Sequence, residues 1–220
     1  MSNPGVIELF GFRFANNSGT HSFRVEDNIG EAIHIHFDDI RLDLTVKEFH
    51  KLVDDTLEAI TANVDVKGFD AGKCDPLFLF EVAQCLPWLR EVKTEYMPVK
   101  DIIVDTLDNN GKRVYRNIKH SRVVKALHGD HAENDKHRQQ NLIGLNNRQR
   151  LFRIFNSIKE NGYPSKDEHI LLFNEQNIVR DGQHKAAVIY VLSPDAVIPI
   201  QRWIFQNNLF SVSNPVYSSD

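Results

Sequence analysis

Apolar and polar residues alternate at the start of the chain and then recur at helical spacing. From Val6 to Phe14, Phe10, Phe12 and Phe14 fall at every second position, the period of a strand with one apolar face. A polar turn, Asn16-Asn17-Ser18-Gly19, ends it. Phe23–Val25 and Ala32–Phe37 predict two more strands, joined by the hairpin signal Asp27-Asn28-Ile29-Gly30. Arg41–Leu44 predicts a short fourth. Thr45-Val46-Lys47-Glu48 then reads as a capping box, in which hydroxyl and carboxylate satisfy free amides of the first helical turn. The helix it opens carries Phe49, Leu52, Val53, Leu57 and Ile60 on one face, the spacing of a helix packed on a sheet.

A second helical stretch starts with Asp75 as N-cap and Pro76 in the first position, where the missing amide costs nothing. Leu77, Phe78, Val82 and Leu86 form its apolar side, and Pro87 bends or ends it. The charged stretch Arg90–Glu95 is taken as a domain boundary. Beyond it come a strand over Met97–Val104, a turn at Asp108-Asn109-Asn110-Gly111, a short helix near Ser121–His128 and a polar loop, Gly129–Asn141. Asn147 caps a helix carrying Leu151, Ile154, Phe155 and Ile158, which stops at Asn161-Gly162-Tyr163-Pro164. The remaining pattern is compact. It comprises strand Ile170–Phe173, turn Asn174–Asn177, strand Ile178–Arg180, a helix from Gln183 to about Leu192, and strand Val197–Ile204. There is no internal repeat. The expectation is an α+β protein of two small α+β units, 1–92 and 93–210, with 211–220 a loose tail.

Composition changes this picture little. A hydrophobic fraction of 41% and a charged fraction of 25% suit a soluble globular chain that buries a core without covalent staples. The two cysteines, Cys74 and Cys85, make no metal-type pair and read as reduced, buried thiols in a cytoplasmic protein. No apolar run is long enough to span a membrane, and no charged-then-apolar leader opens the chain. The net charge of -4 argues against a protein that coats nucleic acid, though it leaves room for a local basic patch.

The chemistry concentrates in Asp181-Gly182-Gln183-His184-Lys185, set between a strand and a helix with no spacer on either side. Glycine tolerates unusual backbone angles and lets a ligand come close. The first amides of the helix, near Gln183–Ala186, have no intrahelical partner, and their dipoles favour an anion. His184 and Lys185 add donors and positive charge, Gln183 adds a neutral donor, and Asp181 can hold a divalent cation or accept a proton. Ala186 and Ala187 let the helix lie close to the sheet. The competing reading is a tight turn followed by a solvated helix start. On the preceding helix, Arg150, Arg153 and Ser157 fall at i, i+3 and i+7 on one face, either a solvated basic face or a second set of phosphate contacts.

From about Met97 to Arg202 the chain resembles the ParB/sulfiredoxin-like fold. The residues that carry the resemblance are Met97-Pro98-Val99-Lys100, the helix ending in Asn161-Gly162-Tyr163-Pro164, Ile178–Ala187 around the Asp-Gly-Gln-His-Lys turn, and Val197-Ile198-Pro199-Ile200. Families with this fold bind nucleotide phosphates at the turn. They include chromosome-partition CTPases, sulfiredoxins, free-serine kinases and proteins associated with polysaccharide synthesis. The resemblance implies a ParB/sulfiredoxin-like C-terminal unit in which Gly182, Gln183, His184 and Lys185 cradle phosphate, with Arg150, Arg153 and Ser157 lending polar groups from the helix. Gln183 stands where sulfiredoxin chemistry needs cysteine, which argues against that activity. Lys185 replaces the usual arginine, a point charge in place of a bidentate fork. The stretch after Arg202 is too short for the helix-turn-helix that partition proteins carry.

Other constellations are weaker. His34 and His36 alternate on one strand face, but no cysteine or carboxylate partner stands at a fixed spacing. His128, His131 and His137, with Asp130, Glu133 and Asp135, make a loop cluster that reads as a divalent-ion site, a substrate lid or a plain surface loop. His120 and Ser121 lie near it without a nucleophile-elbow sequence. The function expected is a nucleotide-dependent phosphotransferase, a small-molecule or sugar kinase, taking a nucleoside tri- or diphosphate with Mg2+. Asp181 and His184 are its catalytic residues and Asp181 its metal ligand. The alternative is a non-catalytic nucleotide- or nucleic-acid-responsive module, with a DNA nuclease third and disfavoured by the acidic balance. The expected partners are the nucleotide and a small-molecule or sugar acceptor, with no membrane and with a homodimer as the candidate assembly.

Overall fold

The computed structural model describes residues 6–16, 19–28, 32–107, 112–136, 146–164 and 169–217. The chain divides into two compact units, Met1–Ile60 and Thr61–Asp220. It is an α+β protein.

The first unit is an antiparallel meander of β1 (Val6–Asn16), β2 (Gly19–Asn28), β3 (Ala32–Phe37) and β4 (Ile40–Leu44), in that spatial order. The tips of its first two turns, residues 17–18 and 29–31, lie outside the described residues, as do the side chains of Phe10, Phe12 and Phe14. The register puts Val25, Ile35 and Leu42 in one cross-strand row and Glu26, His34 and Asp43 in another, so the two faces differ sharply in polarity. Helix α1 (Val46–Thr61) begins with the capping box expected of it. The Thr45 amide donates to Glu48 Oε2 at 2.8 Å, and the Glu48 amide donates to Thr45 Oγ1 at 3.2 Å. The expected burial against a sheet is not found: no α1 residue is buried, and Leu52 is exposed. Periodicity determines which side of a helix is apolar; it does not determine what covers that side.

The second unit opens with a 3-10 turn, Ala71–Lys73, and α2 (Pro76–Val82), capped by Asp75, whose Oδ1 accepts from the Phe78 amide at 3.2 Å. The side chains of Pro76 and Leu77 lie outside the described residues. A further 3-10 stretch, Ala83–Trp88, holds Pro87 inside it. Strand β5 (Leu89–Pro98) contains the whole charged segment 90–95, so the boundary expected at 92/93 falls within a strand. Arg90, Glu91 and Lys93 are exposed, and Val92 and Met97 of the same strand are buried. Segment 61–92 packs in this unit because Phe69 and Phe78 meet Trp203 edge-on at 5.5 and 5.6 Å between ring centroids. The expected strand Met97–Val104 is broken by the 3-10 turn Val99–Asp101 and resumes as β6 (Ile103–Leu107). That strand pairs with β7 (Arg113–Asn117) across a turn, 108–111, outside the described residues.

Helices α3 (Arg122–Leu127) and α4 (Ala132–Lys136) follow, the latter inside what reads as a loop in the sequence. Helix α5 (Asn147–Asn161) is capped by Asn146 rather than Asn147. Its side chain accepts from the Gln149 amide at 2.9 Å, and the Gln149 side chain accepts from the Asn146 amide at 3.0 Å. Strands β8 (Ile170–Phe173) and β9 (Val179–Asp181), helix α6 (Gln183–Leu192) and strand β10 (Val197–Phe205) complete the unit. The sheet order is β5-β10-β8-β9, with β10 antiparallel to β5 and parallel to β8. Four consecutive residues of α6, Ala186 to Ile189, are buried, so this helix runs through the core rather than over it.

Arg202 is the polar centre of this unit. It is buried and donates to Glu95 Oε1 at 2.5 Å, Asn174 O at 2.7 Å, Gln176 O at 2.9 Å and Asn177 Oδ1 at 3.1 Å. The segment expected to be a loose tail is tied down as far as Tyr217. Gln176 exchanges two 2.8 Å hydrogen bonds with the Val212 backbone, and the Tyr115 amide donates to Val216 O at 2.9 Å. Residues 218–220 lie outside the described residues. No helix among the described residues is long and apolar enough to cross a membrane.

Candidate functional site

Strand β9 ends at Asp181, and α6 starts at Gln183. The one residue between them, Gly182, has φ +88° and ψ 18° and caps the helix. A β-carbon there would lie 3.1 Å from both Cα and Cγ1 of Ile170, so left-handed geometry and close packing both select glycine. The Ala186 amide donates to Gly182 O at 2.9 Å, closing the first turn and leaving the preceding amides without intrahelical partners.

This turn forms one wall of a cavity of about 630 Å3. All eight residues singled out in the sequence line it: Asp181, Gly182, Gln183, His184 and Lys185 from the turn, and Arg150, Arg153 and Ser157 from α5. The face of α5 at i, i+3 and i+7 therefore lines the cavity, with Arg153 also open to solvent, while Ile154, Phe155 and Ile158 pack on the core and hold the helix there.

The structure adds residues that no local pattern announces. Lys73 and Asp75 enter from the start of the second unit, Arg122 from α3, Tyr163 and His169 from either side of residues 165–168, and Arg180 from β9. Of these, Arg180 alone was adjacent to the turn and legible as part of it. Among the described residues, the lining thus holds six cationic side chains against two carboxylates, Asp75 and Asp181, in a chain of net charge -4.

Burial governs the site's electrostatics. It raises the Asp181 carboxyl above the usual carboxylate range, and the neighbouring Asp75 charge adds to this. The Gly182 amide, Lys185 and Arg150 oppose it. Burial likewise pushes the Cys74 thiol, which lines the cavity, up to about 12. It raises the Tyr163 hydroxyl, whose oxygen accepts from the Ile170 amide at 2.6 Å. Arg122 and Arg180 are both lowered by burial, and the Nε of each is buried without a hydrogen-bond partner. Arg180 is otherwise held by a 3.0 Å hydrogen bond from Nη2 to Phe210 O and by the Phe173 ring, 5.3 Å away.

The other constellations resolve differently. In the loop cluster, Glu133 pairs with Lys125 at 3.0 Å, Asp135 with Arg148 at 2.5 Å, and Asp130 caps the Ala132 amide at 3.1 Å. His137 lies outside the described residues. Ser121 is a helix cap, its Oγ accepting from the Val124 amide at 3.1 Å. His34 and His36 acquire the carboxylate partner that sequence spacing did not show, Glu26 on the neighbouring strand.

Comparison of the chain with protein-family models, with curated proteins and with solved structures finds no match. The fold and the site together define an α+β protein with a cationic cleft at a strand–turn–helix junction.

Proposed function

We propose that the chain is a nucleotide-dependent phosphotransferase acting on a small-molecule or sugar acceptor, with a ParB/sulfiredoxin-like C-terminal unit whose 181–185 turn takes the phosphates. What supports this reading is the gathering of six cationic side chains and the N-terminus of α6 around one cavity of about 630 Å3. That size suits a small-molecule site.

The residues present fit a phosphate chain with a divalent cation. Arg122 and Arg180 line the cavity, and the Nε of each is buried without a partner. Gly182 lets the turn pack on Ile170 and start α6 without a spacer. The Asp181 carboxyl, disfavoured as an anion by burial, gains from a cation beside it. When bound, Mg2+ supplies neutralisation of charge on the transferring phosphoryl group. In this chain Asp181 holds the ion, and Gln183, His184 and the first amides of α6 donate to phosphate oxygens. Lys185, Arg150 and Arg153 balance their charge, and Ser157 adds a hydroxyl donor from α5. His184 also serves as the proton-transfer residue toward the acceptor. Phosphoryl transfer asks a protein mainly for positioning and charge neutralisation, and these groups supply both.

The test is thermal stabilisation of the full chain against a panel of nucleoside di- and triphosphates with and without Mg2+, followed by assays of hydrolysis and of transfer to sugar acceptors. Mg2+-dependent stabilisation that His184→Ala and Lys185→Ala abolish, with turnover, is the expected result. No nucleotide response overturns the reading. Binding without turnover replaces it with a non-catalytic nucleotide-responsive module. One observation favours that second reading: among the described residues that line the cavity, Asp75 and Asp181 are the only carboxylates, and Asp75 is already engaged as a helix cap.

A further inference from the structure

On the polar face of the N-terminal sheet, Glu26 of β2 lies directly across from His34 of β3, and His36 stands two residues further along on the same side. One ligand atom from each of the three lies within 4.8 Å of the others. We infer that Glu26, His34 and His36 form a zinc-binding site that ties β2 to β3, independent of the cationic cleft.

Tetrahedral zinc with bonds of about 2.0–2.1 Å sets its ligand atoms roughly 3.3 Å apart. The Glu26 Oε2 to His36 Nε2 distance is already 3.1 Å. Two imidazoles and a carboxylate are a donor set that zinc accepts, and three protein ligands leave one position for water. The ligands are also the sheltered members of their face. Side-chain exposure is 14% for Glu26, 10% for His34 and 22% for His36, against 47% for Arg24 and 51% for Arg41.

Those two arginines now occupy the ligands. Arg24 Nε lies 2.9 Å from Glu26 Oε1, and Arg41 Nη2 lies 3.0 Å from His34 Nε2. Arg41 therefore presents a donor to the His34 nitrogen that would bind the metal, and its second partner, Asp43 Oδ1 at 2.5 Å, lets it swing outward without losing its ion pair. The sheltered groups are fixed and the cations covering them are exposed, so zinc binds by displacing the Arg41 contact. This makes Arg41 a competitor of the metal, which a chance cluster of surface histidines does not have.

The experiment titrates zinc into metal-stripped full-length protein against a chromophoric chelator, with X-ray absorption on the loaded form. One equivalent of zinc with two imidazole ligands is expected. His34→Gln and His36→Gln should each weaken it by about tenfold or more, in the range of lost metal contacts. Arg41→Ala should bind zinc more tightly than the parent chain. Circular dichroism confirms that each variant folds. Should His34→Gln fail to fold, the more exposed His36→Gln and Arg41→Ala carry the test. The inference is overturned by no uptake at about 100 μM zinc, where binding would be weaker than roughly -5.5 kcal/mol. It is equally overturned by zinc affinity that His36→Gln leaves unchanged, or by Arg41→Ala binding no more tightly than the parent.

Discussion

Ile170 supports Gly182 from below: its Cα and Cγ1 would each lie 3.1 Å from a β-carbon on the glycine, and its own amide is held by the Tyr163 hydroxyl at 2.6 Å. The end of α5, the first residue of β8 and the turn before α6 are thereby locked together. Gly182→Ala meets both a left-handed φ and this contact. Strain of that kind costs about 1–3 kcal/mol. The expected outcome is a loss of stability of that size by urea denaturation, with anion binding weakened further than in a variant of equal stability altered elsewhere.

Asp181→Asn separates the folding role of this residue from its ligand role. A carboxyl whose pKa is raised on folding holds its proton more tightly in the folded chain. Its contribution is fully present below the unfolded value near 3.8 and is lost as pH rises through the folded value. At neutral pH the native carboxylate therefore costs stability. The ligand-free Asp181→Asn variant should melt above the parent at pH 7, and the gap should close as the pH is lowered toward 4. Mg2+-dependent nucleotide stabilisation should disappear in the same variant. A melting temperature below the parent at pH 7 would count against burial as the dominant influence.

Arg150 and Arg153 reach the cavity from a different helix than the turn does, so they test convergence itself. Hydrogen bonds to charged groups contribute about 1.5–3 kcal/mol. Arg150→Ala and Arg153→Ala should each weaken pyrophosphate binding by roughly tenfold or more, measured by calorimetry at fixed salt. Both are partly exposed or exposed, and protein stability should stay within about 0.5 kcal/mol, as for ordinary surface positions.

Arg202 carries the heaviest structural load. Removing one member of a buried charged network typically costs about 3–5 kcal/mol, because the remaining groups stay buried and unpaired. Arg202→Ala strands the carbonyls of Asn174 and Gln176, while the half-exposed Glu95 turns to solvent, which puts the loss at the lower end of that range. Chemical denaturation should show a loss of that order, and Arg202→Lys should recover only part of it, since an ammonium cannot span four acceptors.

Cys74 lines the cavity, yet its thiol is pushed up to about 12 by burial and by the Asp70, Asp181 and Asp75 charges. The thiolate is the reacting species. Alkylation by iodoacetamide at pH 8 should therefore run at least about a hundredfold slower than for a free thiol of pKa near 8.5. Mass spectrometry of the labelled peptide reads this directly.

These positions show how far sequence reading reached. The turn 181–185 and the 150/153/157 face were legible because each is local: a glycine between a strand and a helix, and a helical spacing. Their meeting in one cavity, suggested by the family resemblance, is a geometric fact of the folded unit. Lys73, Arg122 and His169 arrive from segments whose local pattern says nothing of a cavity. Glu26 was invisible as a partner of His34 because cross-strand register, not spacing along the chain, brings them opposite each other. The charged stretch Arg90–Glu95 reads as a boundary and so places segment 61–92 in the first unit. Its aromatic rings, packed on Trp203, decide otherwise. The face of α1 was read correctly as apolar, and its burial was inferred from that alone.

The cleft's surplus of positive side chains sits inside a chain that is acidic in total, so the remainder of the molecule is more acidic than the net charge suggests. Screening confines each field to a Debye length, about 8 Å at physiological salt. An anion small enough to enter feels the interior attraction over that distance. The attraction therefore acts within the cleft and fades within a Debye length of it. Raising the ionic strength should slow the capture of small anions by the cleft.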